Sequence, residues 1–319
     1  MPQRRIGVAV AAANSGAVLA GIEKAEQLGI SAAWLTSGSA GGADNLTLLA
    51  SAAVRTQRII LGTAITQIFS RHPVATVQQT QALAQLAPGR FRLGLGTSGQ
   101  AGMERTFGVK FERPMGQLRE YLRIVKSLLQ RGSVDLDGRY YTAHSRIAAP
   151  LEVPVMAAAL GSRAYRLCGA EADGAISWVC PGAYLRDVAL PAMKRGAERA
   201  GRTQPPLMAH APVCVHDDPE EVRAAVRQQF GGFPRAPFYQ RMFIGAGFPE
   251  AGQETWSDAM IDAVALSGNE AQVSRQIEEL FSWGATELLA SPVAAGHDRV
   301  ASLDRTLRLL GQLGRALPA

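Results

Sequence analysis

Apolar residues along the chain fall into two alternating patterns. Short continuous runs rich in small and β-branched residues occupy 6–11, 32–35, 59–65, 91–96, 153–159, 174–178, 207–216 and 287–291. Continuous rather than alternating apolar runs are what strands buried on both faces require. Between them, apolar positions recur at helical spacing over 18–28, 44–54, 74–86, 114–129, 163–171, 183–200, 269–283 and 299–313, with a further helix opening at Asp218-Pro219. Capping residues agree: Asp44 starts a helix, Pro73 suits a first turn, and Gly29 and Gly201 end helices. The stretch 58–99 shows the unit most plainly, as strand, helix, the stop Ala87-Pro88-Gly89, and strand again. Such a unit makes its strands parallel and its crossover right-handed. Eight strands alternating with helices, with no break in composition across 1–319, predict an α/β fold, a single (β/α)8 TIM barrel. Insertions are expected on its C-terminal face, at about 99–113, 132–150 and 231–258. The first is a long connection after the fourth strand, and the second holds a hairpin over 134–142 around Asp137-Gly138. The third is irregular and aromatic.

Two strands end in small or hydroxylated residues: Thr63-Ala64-Ile65-Thr66, and Gly94-Leu95-Gly96-Thr97-Ser98. In parallel α/β folds ligands sit at strand C-termini, so these are candidate ligand walls, unless the glycines only let adjacent strands pack closely. Gly94-x-Gly96-x-x-Gly99 also spells the dinucleotide fingerprint. That motif needs a helix opening at the third glycine and an acid about 20 residues on. No clean amphipathic helix is expected before about Pro114, and the acid is missing, so the match reads as coincidence. The glycine-rich loop 36–42 is expected to be mobile.

Composition narrows the function. The 319 residues are 47% hydrophobic, enough for a large core, and contain no apolar run of membrane-spanning length. The N-terminus enters a strand without a signal-peptide pattern, so the expectation is a soluble, cytoplasmic protein. A net charge of +6 comes from dispersed arginines, without the basic runs of a nucleic-acid binder. It is compatible with an anionic small molecule. Cys168, Cys180 and Cys214 form no metal or disulfide pattern. His72, His144, His210, His216 and His297 lie in no hydrolase or metalloprotease frame. His72 suits a helix entrance and His216 a solvated turn. A chain without its own acid-base constellation points to chemistry carried by a cofactor.

The segments L-G-T-A-I-T-x-x-x-S-R-H-P and L-A-P-G-R-F-R-L-G-L-G-T-S resemble the third and fourth strands of the bacterial-luciferase-like superfamily. Further matches are G-A-D-N-L-T-L-L-A, V-P-V-M-A-A-A-L-G-S-R, E-A-D-G-A-I-S-W and G-A-T-E-L-L-A-S-P-V, so the resemblance spans nearly the whole chain. It is closer to the branch using the deazaflavin coenzyme F420 than to the luciferases. The resemblance implies an F420-dependent oxidoreductase passing a hydride between the deazaflavin C5 and a small organic substrate. Alternatives are an FMN-dependent luciferase-like monooxygenase, or a non-catalytic ligand-binding relative. The family's ring support maps to Ala64, Ile65 and Thr66, with a cis peptide expected between Ala64 and Ile65. Cofactor contacts map to Thr97 and Ser98. A phosphate cradle maps to Ala158, Ala159, Leu160, Gly161, Ser162 and Arg163, where Ser162 is also an expected N-cap. Trp178 is either a barrel plug or a wall of the ring and substrate pocket. Asn14, Thr36 and Ser37 map to the mouth and to substrate. Where relatives carry an acid and histidine after strand two, this chain reads Thr36-Ser37-Gly38. Where some carry Glu after strand four it reads Gly99, with Glu104 nearby. The resemblance therefore assigns no proton donor. It allows a homodimer, the family's frequent assembly.

Overall fold

The computed structural model describes residues 4–37 and 42–317. Its centre is eight strands: β1 (Arg5–Ala9), β2 (Ala32–Leu35), β3 (Ile60–Thr63), β4 (Phe91–Gly96), β5 (Val155–Ala158), β6 (Gly174–Ile176), β7 (Leu207–Val215) and β8 (Glu287–Pro292). Each pairs in parallel with its successor, and β8 pairs with β1. The sheet thus closes into the expected (β/α)8 barrel. β2 and β7 are buried at every position, as a sequence apolar throughout, save for His210 in β7, requires.

Helix ends follow local chemistry. The Asp44 carboxylate accepts the Thr47 N–H and opens Asn45–Ala53; the His72 Nδ1 accepts the Val74 N–H ahead of Pro73–Leu86. Gly29 closes Ser15–Leu28 at φ 84°, in the left-handed region where a side chain is unfavourable. The helix over 182–199 carries a π turn at Leu185–Ala189. Pro191, two residues further on, has no N–H to continue a regular ladder.

The barrel interior is filled, not hollow. Trp34, Met156, Ile176, Met208 and Leu289 form one buried cluster with Ala32 and Ala64. The Trp34 ring fits because β1 and β3 present glycine beside it: a Cβ on Gly7 or Gly62 would lie 2.7 or 2.2 Å from the indole. Its Nε1 donates to Glu287 Oε1 at 2.9 Å, and Arg92 donates to the other carboxylate oxygen at 2.7 Å. Trp34 therefore plugs the barrel interior, and the half-buried Trp178 packs against its cluster.

Several expectations are corrected. A helix, Gln100–Phe107, does open at Gly99, which is its N-cap. The fingerprint glycines thus precede a helix after all, yet the motif still lacks its acid. The third insertion contains the helix Pro237–Gly245, and the region before β8 adds a helix, Asp258–Val264, and a short strand, Leu266–Gly268, on the end of β7. The hairpin, Ser133–Asp137 with Thr142–Arg146, joins a helix to β5. Connections of that sense lie at the N-terminal end of a parallel barrel, so this insertion is on the face opposite the expected one. The Glu120 carboxylate accepts the N–H groups of Arg139, Tyr140 and Tyr141, which fixes its turn. The loop expected to be mobile lies in part, at 38–41, outside the described residues. Cys168, Cys180 and Cys214 are buried free thiols, and among the described residues no helix is long and apolar enough to cross a membrane.

Candidate functional site

The site is built where β3 leaves its regular course. β3 pairs with β4 through Gly62↔Arg92, and pairing resumes at Thr66↔Leu95 in the short strand Thr66–Gln67. Three residues on one side therefore face two on the other, a one-residue bulge. Across the gap the Thr63 hydroxyl replaces the backbone rung. It donates to the Gly94 carbonyl at 2.8 Å and accepts the Gly94 N–H at 2.9 Å. A Cβ on Gly94 would lie 2.0 Å from the Thr63 carbonyl oxygen, so only glycine allows this approach. The Ala64–Ile65 peptide is cis, at the bond where the resemblance placed it.

The bulge is held from behind by Asn45, which is buried at the start of Asn45–Ala53. Its Nδ2 donates to the Ile65 carbonyl and its Oδ1 accepts from the Thr66 hydroxyl, both at 3.3 Å. Asn45 lies within G-A-D-N-L-T-L-L-A, a segment that reads locally only as a helix start. Both of its partners are about 20 residues away, and no local pattern reports them.

In front of the bulge the expected contact residues gather. The Ile65 side chain lies over Gly96, where a Cβ would meet Ile65 at 2.9 Å and the Ala158 Cβ at 3.1 Å. Gln67 Nε2 donates to the Ser98 hydroxyl at 3.4 Å and ties the ends of β3 and β4 together. Ser98 takes φ 56°, a left-handed conformation rare for a residue with a Cβ, and is exposed. Thr97 beside it is half-buried. The result is a shelf of Ile65, Gly96 and Ala158 with hydroxyls at one edge.

The second edge follows β5. The N-cap of Ser162–Glu171 is Gly161, not Ser162, and it has no side-chain cap. Its carbonyl takes the N–H groups of Ala164 and Tyr165, so those of Ser162 and Arg163 remain at the open start of the helix. A Cβ on Gly161 would meet nothing within 4 Å. Gly161 and Arg163 are exposed, Ser162 and Leu160 half-buried, and Ala159 buried. Free N–H groups, a hydroxyl and a guanidinium around open space suit a phosphate.

Trp178 lies two residues past β6, half-buried, and stacks on His210 with ring centroids 3.6 Å apart. His210 was not singled out from the sequence, because it sits in a strand buried on every face. Burial pushes its pKa down to about 3. Asn14, exposed after β1, is engaged as a helix cap, its Oδ1 accepting the Ala17 N–H at 2.9 Å. Thr36, half-buried, and Ser37, exposed, follow β2. Glu104 is exposed and accepts from Gln100. His144 bonds to Asp135 and Asp137 in the hairpin, and His216 to Glu221.

The chain is similar to known proteins in sequence and fold. A family model described as luciferase-like monooxygenase matches residues 4–287. The F420-dependent glucose-6-phosphate dehydrogenase of Beutenbergia cavernae is 33% identical over 187 residues, 56% of this chain and 55% of that protein. The match thus spans about half of that relative. The 5,10-methylenetetrahydromethanopterin reductase of Methanolobus tindarius is 25% identical over 303 residues, 88% of this chain and 91% of its own. Among solved structures, an F420-dependent secondary alcohol dehydrogenase in complex with an F420-acetone adduct superposes with a TM-score of 0.81. It covers 99% of this chain and 100% of its own at 16% identity, a likeness of fold.

Proposed function

The chain belongs to the luciferase-like monooxygenase family, and on that premise we propose that it is an F420-dependent oxidoreductase acting on a small organic substrate. The carrying observation is the bulge at 63–65, which turns Ile65 over Gly96 and Ala158 at the barrel mouth. The shelf is apolar, with no side chain larger than Ile65 among its three members, and suits one face of a planar ring. Hydride transfer to or from C5 is the chemistry F420 supplies when bound.

The roles of the chain's own residues follow from position. The Ile65 side chain backs the ring face with Ala64 and Thr66 flanking it, and any polar contact from Ala64 or Ile65 comes from backbone, because their side chains offer no hydrogen bonds. Asn45 keeps that backbone in place by holding the Ile65 carbonyl and the Thr66 hydroxyl. Thr97 and Ser98 meet the polar edge. The N–H groups of Ser162 and Arg163, with the Ser162 hydroxyl and the Arg163 guanidinium, hold the tail phosphate in the open space at Gly161. Ala158, Ala159 and Leu160 lead the chain from shelf to cradle. Trp178 walls the substrate side, with Thr36 and Ser37 on the opposite rim and Asn14 beyond them. The names of F420-dependent relatives support the choice of cofactor.

Separate titrations with F420 and FMN, followed by fluorescence, test this. Tighter binding of F420 is expected. Equal or tighter FMN binding would favour an FMN-dependent luciferase-type monooxygenase, and binding of neither a non-catalytic relative.

A further inference from the structure

His210 is 1% exposed, and each of its polar atoms is committed. Its Nδ1 accepts the Val179 N–H at 3.0 Å, and its Nε2 meets the Ser291 hydroxyl at 2.8 Å. A backbone N–H can only donate, so Nδ1 is the bare nitrogen and Nε2 carries the hydrogen, donating to Ser291. The His210 backbone N–H donates to the Ser177 hydroxyl at 3.1 Å. Both neighbours of Trp178 are therefore bonded to His210. One of them, Val179, has φ 50°, a left-handed conformation that a β-branched residue avoids unless held. The indole of Trp178 lies on the imidazole with 16° between their planes. Its orientation is set by the frame before any ligand arrives.

An arc of rings continues from this pair into the third insertion. Phe230 meets His210 at 5.9 Å, Phe233 meets Phe230 at 5.9 Å, and Tyr239 meets both Phe233 and Phe238 at 4.9 Å. Phe238 is 38% exposed and reaches Gly99 beyond β4, where a Cβ would lie 3.9 Å from its ring. The arc thus spans from the end of β6 to the end of β4. Apart from Arg163 at the cradle, charge is missing from the residues directly after most strands. The residues at 10–12 after β1, 64–66 after β3, 97–99 after β4, 159–161 after β5, 177–179 after β6 and 293–295 after β8 are all uncharged. After β7, Asp218 caps a helix and Asp217 pairs with Arg305.

We propose that Trp178, held in plane by His210 as a positioning residue, is a stacking wall for an uncharged substrate with a planar conjugated ring, not for a sugar phosphate. This rests on the functional reading above. Stacking and edge contacts favour flat π-systems, whereas a dianionic sugar would leave its charge on an apolar rim.

The test is calorimetric titration of the whole chain with 1,4-naphthoquinone, with decahydronaphthalene-1,4-dione (its ring-saturated analogue, called decalone below), and with glucose 6-phosphate. Naphthoquinone is expected to bind about tenfold more tightly than decalone, with Trp178→Leu erasing that preference and Trp178→Phe keeping most of it. His210→Leu is expected to erase it too, while His210→Asn, whose carbonyl can still accept the Val179 N–H, restores it. A near-ultraviolet circular dichroism difference spectrum reports whether Trp178 keeps its fixed orientation in each variant. Glucose 6-phosphate binding as tightly as naphthoquinone, or a preference untouched by Trp178→Leu in a folded variant, would overturn the inference. F420 titrated into the same proteins separates the two ideas. A wild-type chain that does not bind F420 overturns the functional reading, and the naphthoquinone preference then decides this inference alone.

Discussion

Replacing Thr63 with valine removes one oxygen and keeps the side chain's shape. The structure makes that a severe change. The Thr63 hydroxyl both donates to and accepts from Gly94, and Thr63 itself is fully buried. In Thr63→Val the Gly94 N–H and carbonyl each lose a partner at the point where β3 and β4 are no longer paired through backbone. A buried polar group left unpaired costs about 1–3 kcal/mol, so with two such groups the variant should lose about 2–6 kcal/mol. Thr63→Ser keeps the hydroxyl and deletes a methyl group, at about 1 kcal/mol. Urea unfolding of both variants against wild type gives the ordering, provided the slopes agree. Amide exchange at Gly94 should accelerate in the valine variant and not in the serine one. If Thr63→Val is as stable as Thr63→Ser, the hydroxyl is not the rung that closes the gap, and the account of the bulge fails.

Gly161→Asp should fold normally, because its Cβ meets open space at φ −94°, yet it puts a carboxylate in the proposed cradle. F420 affinity should fall at least a hundredfold, from like-charge opposition of about 3 kcal/mol or more, while the thermal midpoint stays put; unchanged affinity places the phosphate elsewhere. His210 gives a pH signature. Its folded pKa, pushed down to about 3, lies below the unfolded value, so the unfolded chain binds the extra proton as pH falls below the usual imidazole range. The stability held above about pH 6.5 should drop by about 2 kcal/mol by pH 5. His210→Asn should lack that part of the slope, and equal slopes in both proteins would contradict the burial argument.

The eight strands and most helices were legible because each depends on neighbours in sequence: buried β-branched runs, an Asp44 cap, a Gly29 stop. What escaped depends on partners across space. The helix Gln100–Phe107 buries only Met103 and contains Gly102, so its pattern is too weak to read from one turn to the next. The aromatic helix Pro237–Gly245 was masked by the glycines and prolines around it. The strand bulge at 63–65 was located through family resemblance, not through periodicity, which cannot report that Thr63 stands in for a backbone rung. Asn45 and His210 were missed for the same reason. Their partners lie about 20 to 80 residues away, and a polar residue inside an apolar run gives no sign of its own. Ser162 was placed one position off as a cap, because glycine at the preceding position can take the N-cap conformation without a side-chain bond.

Trp34 has a consequence for molecular traffic. With its ring filling the space beside Gly7 and Gly62, and Met156, Ile176, Met208 and Leu289 packed around it, the described residues fill the barrel axis. On the functional reading proposed above, cofactor and substrate both arrive and depart through one doorway, the mouth at the strand C-termini. Two molecules that must touch, and that share one doorway, cannot exchange independently: whichever lies against Ile65 is blocked by whichever lies above it. The deeper guest can turn over only after the shallower one has gone, so the plug at one end of the barrel sets the order of events at the other.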